Sequence, residues 1–147
     1  MCKAIDLSKY IIGLIPVDNL KLQKLLYYCQ GIHLARVDKP IFNDRIEAWT
    51  YGPVVPTVYR KYKEYGLDII TLKDIKHNNI KFKNKELETI DMVLAYYGSF
   101  SGLELVSRTH SEPPWINAFE KNKNNEITKE AMKEYFKSNI KFTDSEK

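Results

Sequence analysis

Histidines and cysteines are the residues of this chain that most often serve as metal ligands or as catalytic groups. His33, His77 and His110 stand far apart with no paired spacing such as HExxH, and Cys2 and Cys29 form no CxxC motif. The chain also lacks the GxSxG pattern of a nucleophile elbow and the glycine-rich Walker A loop. We therefore expect no catalytic residues, no metal site and no cofactor.

Two clusters combine aromatic rings with prolines. Residues 47–56 place a tryptophan and a tyrosine beside a Gly-Pro-x-x-Pro corner, and residues 107–115 join a Thr-His pair to Pro-Pro-Trp. Taken singly, each favours a structural role, as a strand-to-helix corner or as a turn before a helix that opens with proline. The alternative is an enzyme in which His110 and Glu112 transfer protons.

The basic residues offer a further alternative, a nucleic-acid-binding regulator. The net charge is +4, but only four of the 23 basic residues are arginine, the better reader of phosphates and base edges. This composition disfavours nucleic acid as a partner. The lysines that would serve such a role are Lys73, Lys76, Lys81, Lys83 and Lys85.

Length and composition fit one globular domain over residues 1–147. Apolar residues make up 44% of the 147, and no apolar run approaches the roughly 20 residues that span a bilayer. The N-terminal segment shows no small-residue cleavage site, so we expect no signal peptide, no membrane partner and a cytoplasmic location. Two cysteines are too few for a disulfide framework, and we expect Cys29 to be a buried free thiol.

The hydrophobic periodicity positions these clusters on a mainly α fold, a compact orthogonal domain of about six helices. The strongest helix carries one apolar stripe that runs from Leu22 to His33. Short strands or a small β-hairpin are expected around residues 46–51 and 69–83, the second region being either a hairpin or a long ordered loop. We expect a polar loop at 120–126 and a frayed tail at 141–147. The predicted helices cover 5–14, 20–36, 56–65, 85–97, 102–109 and 114–119, with a last helix capped by Thr128.

In this order, the clusters resemble the Panacea domain, also called the SocA-like or phage-associated antitoxin domain. The resemblance covers about residues 20–119, and the EAW-x-x-GPVVP and TH-x-x-x-PW elements are its most specific parts. The matching segments are residues 22–31, 40–42, 46–49, 52–59, 105–107, 109–110 and 114–115.

The resemblance implies an antitoxin that is not an enzyme and that neutralises a cognate toxin by binding it directly. One branch of the family is linked to delivery of the toxin to a protease, so a protease or chaperone is a further candidate partner, and homo-oligomerisation stays open. Whether the motif residues form scaffold or contact the partner is also open. Partner choice is expected to vary in residues 67–85 and after residue 120. The motif residues are Glu47, Ala48, Trp49, Gly52, Pro53, Val54, Pro56, Tyr59, Thr109, His110, Pro114 and Trp115.

Overall fold

A computed structural model describes residues 1–71 and 80–139 of the chain. Its longest helix, α2 (Asn19–Val37), begins at Asp18, whose carboxylate accepts a hydrogen bond from the Lys21 backbone N–H at 2.8 Å. The predicted stripe from Leu22 to His33 is buried. The prediction of a single stripe is nevertheless incomplete, because 14 of the 19 residues are buried, polar ones included. α2 is therefore a central helix covered on nearly every side.

Six further helices surround α2 within the described ranges, and the seven together correspond to the seven helical segments delimited from the sequence. Five of them pack on α2 directly, and α6 reaches it through α5 and α7. None of the helices in 1–71 and 80–139 is long and apolar enough to cross a membrane. The fold is mainly α, as predicted. The helices are α1 (Ala4–Leu14), α3 (Pro56–Tyr62) with a 3₁₀ turn at Lys63–Tyr65, α4 (Asn84–Tyr97), α5 (Gly102–His110), α6 (Pro113–Ala118) and α7 (Lys129–Asn139).

A small antiparallel sheet lies beside the helices, with strand order β2-β1-β3. The predicted extended segment forms β1 (Glu47–Trp49), which pairs through a tight turn with β2 (Gly52–Val54). β3 (Asn125–Glu126) pairs on the other side of β1, so the expectation of a loop throughout 120–126 is wrong at these two residues. Their pairing depends on β1, which lies far away in sequence.

The second predicted β region is only partly covered by the structure. Residues 69–71 and 80–83 belong to no strand, and residues 72–79 lie outside the described residues, as does the predicted tail at 141–147. The cysteine prediction is confirmed, because Cys29 is free and fully buried, and burial raises the pKa of its thiol. His33 lies in the core with its Nδ1 2.7 Å from the Thr89 hydroxyl, and burial lowers its pKa to about 4.

The contact between α2 and α7 depends on a glycine. Phe136 is buried against α2, where it makes edge contacts with Tyr27 and Tyr28. A Cβ atom at Gly31 would overlap the Phe136 ring. Only glycine at this position lets α7 approach so closely.

We predict that Gly31→Ala destabilises the protein by about 1–3 kcal/mol, the usual cost of overpacking a core. An unobstructed Gly→Ala change inside a helix instead stabilises by about 0.5–1 kcal/mol. The measurement is urea unfolding of G31A, F136A and the double variant. On the F136A background the alanine should be neutral or stabilising. Equal destabilisation on both backgrounds would contradict the proposed clash.

Candidate functional site

The two aromatic–proline clusters, far apart in sequence, meet at the turn between β1 and β2. The Trp115 indole N–H donates a hydrogen bond of 2.8 Å to the Trp49 carbonyl. The His110 Nε2 lies 3.0 Å from the carbonyl of Thr50, the next residue. Side chains of the second cluster therefore hold the backbone of the first at its turn.

A stack of three rings reinforces this contact. The His110 ring lies on Trp115 with ring centroids 4.1 Å apart, and Trp115 lies on Phe119 at 4.6 Å. His110 ends α5, while Trp115 belongs to the short helix α6. The stack thus fixes the corner between α5 and α6 against the hairpin.

Gly52 occupies a crowded position at the start of β2. Its φ of 108° is one that residues with a side chain rarely adopt. An added Cβ would lie 2.8 Å from the Thr109 hydroxyl oxygen and 2.9 Å from the Lys24 Cε. Hairpin, α5 and α2 therefore touch at one point, where only a glycine fits.

Lys24 is the least expected residue of this region. It is fully buried, and its ammonium donates a hydrogen bond of 3.0 Å to the Pro53 carbonyl. Burial lowers its pKa to about 7, and the charge of Asp18 opposes that shift in part. Sequence reasoning missed it, although a lysine between Leu22 and Leu25 of an apolar helix was an available signal.

An open cavity of about 680 Å³ lies between the hairpin, α3 and the N-terminal end of α2. Aromatic side chains form much of its wall, with Trp49 and Tyr59 in edge contact at 5.0 Å. At its rim Tyr51 is 66% exposed and Leu67 is 82% exposed. A cavity of this size that combines aromatic side chains with convergent polar ones is typical of a binding site.

The motif residues divide into two groups by position. Among them, Trp49, Val54 and Tyr59 line the cavity. The others lie around it, as Glu47 does by accepting the Trp49 indole N–H at 2.9 Å. Ala48 and Pro114 are buried, and Pro56 begins α3. The structure thus brings both clusters together, but only the first contributes directly to the cavity.

The residues of the enzyme hypothesis have other partners. The two Glu112 oxygens accept hydrogen bonds from the Tyr27 and Tyr28 hydroxyls, each at 2.9 Å. Burial raises the Glu112 pKa to about 7, and the two tyrosine hydrogen bonds and Arg108 oppose this shift. His110 is bonded to a backbone carbonyl instead. Within 1–71 and 80–139 no group of His, Cys, Asp and Glu is arranged to hold a metal ion.

The lysines of the nucleic-acid hypothesis are only partly visible. Lys73 and Lys76 lie outside the described residues, and Lys81 is exposed. Lys83 and Lys85 line a smaller cavity of about 510 Å³ near the C-terminal end of α2.

A helical scaffold that holds an open, aromatic-walled cavity beside a clamped hairpin is typical of a binding domain. The chain belongs to the antitoxin SocA-like, Panacea domain family, whose model matches residues 22–116. That match confirms the resemblance inferred from the motifs.

A named relative of this chain is antitoxin SocA of Caulobacter vibrioides (strain NA1000 / CB15N). The two are 36% identical over an alignment of 111 positions, which covers 69% of this chain and 59% of the relative. The chain thus matches only part of that relative's length. No solved structure matches the chain.

The buried carboxyl of Glu112 should make stability depend on pH. Its pKa is about 7 in the folded protein against 4.5 ordinarily, so between these values the folded state holds a proton that the unfolded state has lost. The free energy of unfolding contributed by this group is therefore complete below pH 4.5 and falls as the pH rises to about 7. The loss amounts to about 3 kcal/mol.

We predict that Glu112→Gln removes this contribution, so that between pH 5 and pH 7.5 the free energy of unfolding of E112Q, measured with urea, falls less or rises more than that of the wild type. His33, whose pKa is lowered by burial, acts in the opposite direction over this range and is unchanged in the variant. Glu134→Gln, at an exposed carboxylate of α7, is the matched control and should keep the wild-type slope. An unchanged slope in E112Q would assign the effect to another group.

We predict that Gly52→Ala costs more stability than Gly66→Ala. Both glycines have positive φ, but a Cβ at Gly66 meets nothing within 4 Å. G66A should therefore cost only backbone strain, about 1–3 kcal/mol for a residue held in a sparsely populated region. G52A should add about 1–3 kcal/mol of overpacking. Urea unfolding measures both, and adding Thr109→Ala to G52A should recover part of the excess. Equal costs for the two glycines would contradict crowding at Gly52.

Proposed function

We propose that this chain is a cytoplasmic antitoxin domain that neutralises a cognate toxin by binding it directly, with the cavity face as the contact surface. Membership of the antitoxin SocA-like family supports the antitoxin role. The observation that carries the binding mode is the aromatic-walled cavity whose rim exposes Tyr51 and Leu67.

Aromatic anchors beside a concave surface suit a protein interface. Tyrosine and tryptophan are enriched among the residues that dominate binding energy, and such residues act best in pockets that exclude water. Trp49, Tyr51 and Tyr59 all line the cavity. A standard interface buries roughly 800 Å² on each partner. The cavity and its rim would form the centre of such an interface.

We further propose a division of labour among the motif residues. Gly52, His110 and Trp115 position the hairpin through the contacts described above, while Trp49 and Tyr59 touch the toxin. A shared scaffold with variable neighbours would let related domains bind different toxins. Residues 120–124, part of the segment where the sequence matches no family motif, contribute Asn122, Lys123 and Asn124 to the cavity.

Catalysis and nucleic-acid binding are not part of this proposal. His110 and Glu112 already have structural partners, a backbone carbonyl and two tyrosine hydroxyls. Among the described lysines near α4, Lys83 and Lys85 line the smaller cavity and Lys81 is exposed, and nothing in this arrangement favours nucleic acid over another ligand. Delivery of the toxin to a protease, the mode of one family branch, would use the same binding step.

The test is co-expression with the product of the neighbouring gene. We expect that product alone to arrest growth, and expect co-expression of this chain to restore growth and to yield a co-purifying complex. A harmless neighbouring product that does not co-purify would contradict the proposal.

An assay with the purified toxin and the purified chain then distinguishes direct neutralisation from delivery of the toxin to a protease. Direct binding predicts that the chain suppresses toxin activity in a reaction that contains no protease. Delivery predicts that the toxin disappears only when an ATP-dependent protease is added. The Leu103→Ser variant, altered at an exposed leucine on α5 outside the cavity, should neutralise like the wild type.

A further inference from the structure

The cavity has a distinct charge. Three lysines, Lys24, Lys63 and Lys123, are among its lining residues, and none of the described lining residues is an aspartate or glutamate. A cavity lined by one sign of charge attracts ligands of the other sign and disfavours those of its own.

The two lysines at the surface are available to a partner. Lys63 is exposed, and within residues 1–71 and 80–139 it makes no ion pair. Lys123 is paired with Glu120 at 3.4 Å, but its side chain is 63% exposed, so solvent screens that pair strongly. Both ammonium groups can therefore meet a carboxylate without breaking a strong contact.

The third lysine lies at the floor of the cavity. The Lys24 ammonium donates a hydrogen bond to the Pro53 carbonyl. In the part of the chain that the structure describes, it forms no ion pair with a carboxylate. Because burial lowers its pKa to about 7, Lys24 carries its positive charge in only part of the molecules at neutral pH, and the positive field of the cavity comes chiefly from Lys63 and Lys123.

The apolar part of the site lies beside these charges. Trp49 and Tyr59 form the wall, while Tyr51 and Leu67 project at the rim. An apolar side chain inserted here would cover Leu67, which is 82% exposed and is otherwise costly to leave in water. The site thus combines an apolar slot with cations at its edge.

From this combination we infer that the cavity binds an acidic segment of the partner protein, in which an aromatic or large aliphatic side chain is flanked by aspartate or glutamate. The apolar side chain enters against Trp49 and Tyr59, and its neighbouring carboxylates contact Lys63 and Lys123. This inference rests on the proposed function, because it describes how the toxin would engage the same surface.

The test uses a random 12-residue peptide library displayed on phage and selected against the full chain. We expect enriched sequences to carry an apolar anchor with at least two acidic residues within about three positions of it, a reach set by the extended chain. The enriched peptides are then synthesised, and their affinities are measured by fluorescence polarisation at low and at physiological salt.

Two variants test the two halves of the site. Lys63→Glu with Lys123→Glu should weaken binding of the selected peptides at least tenfold, and Leu67→Ser should weaken it to a similar degree. The matched controls are Lys9→Glu with Lys137→Glu, two exposed lysines on α1 and α7, and Leu103→Ser. These controls should leave affinity within twofold of the wild type. All the substituted side chains are exposed, so circular dichroism and melting should report unchanged folds.

The inference is overturned if no peptide is enriched, if the enriched peptides lack acidic residues, or if they bind the K63E/K123E variant as tightly as the wild type. Because the library needs no toxin, this outcome is separable from the failure of the antitoxin proposal. A toxin that co-purifies equally with the wild type and with K63E/K123E would uphold the antitoxin function and reject the acidic segment.

Discussion

Burial of α2 on nearly every side requires each polar group that it carries to find a partner within the protein. A buried donor or acceptor left without a partner costs about 1–3 kcal/mol, so these bonds restrict where neighbouring elements lie. Gln23 accepts the Val55 backbone N–H at 2.9 Å, and Lys24 donates to the Pro53 carbonyl at 3.0 Å. The Gln30 side chain bonds the backbone of the loop that follows α2 in the same way. The buried polar side chains of α2 thus hydrogen-bond to the backbone of the segments packed against the helix.

The same constraint extends to the corner that clamps the hairpin. Tyr27 and Tyr28 bind the carboxylate of Glu112, which directly precedes α6. Trp115, on the first turn of α6, then reaches the turn between β1 and β2. The hairpin is therefore held from α2 on one side and from α6 on the other. The cavity lies at the edge of this hairpin, so the contacts that hold the hairpin against the core also set the shape of the cavity.

Local signals explain which parts of the fold were predictable. The capping box of Ser101 and Glu104 forms as its spacing indicates, with hydrogen bonds of 2.7 and 3.1 Å. Thr128 caps α7 as predicted, by accepting the Ala131 backbone N–H. α4 begins at Asn84, one residue before the predicted start. Such interactions join residues within one turn, so the sequence displays them directly. β3 was missed because the strand it pairs with, β1, lies far away along the chain.

For the site, the sequence by itself determined the class of the protein, because the Glu47–Pro56 and Thr109–Trp115 motifs carry the family resemblance without reference to contacts. It also determined the helices, through periodicity and capping that act over one or two turns. Only the tertiary structure decided that the two motifs meet and that Lys24 is buried beneath them. It also decided that lysines line the cavity while none of the described lining residues is an aspartate or glutamate. The reason is physical: burial and the charge of a cavity depend on which residues are neighbours in space. Residues far apart in the sequence can be such neighbours, and the sequence does not show which ones are.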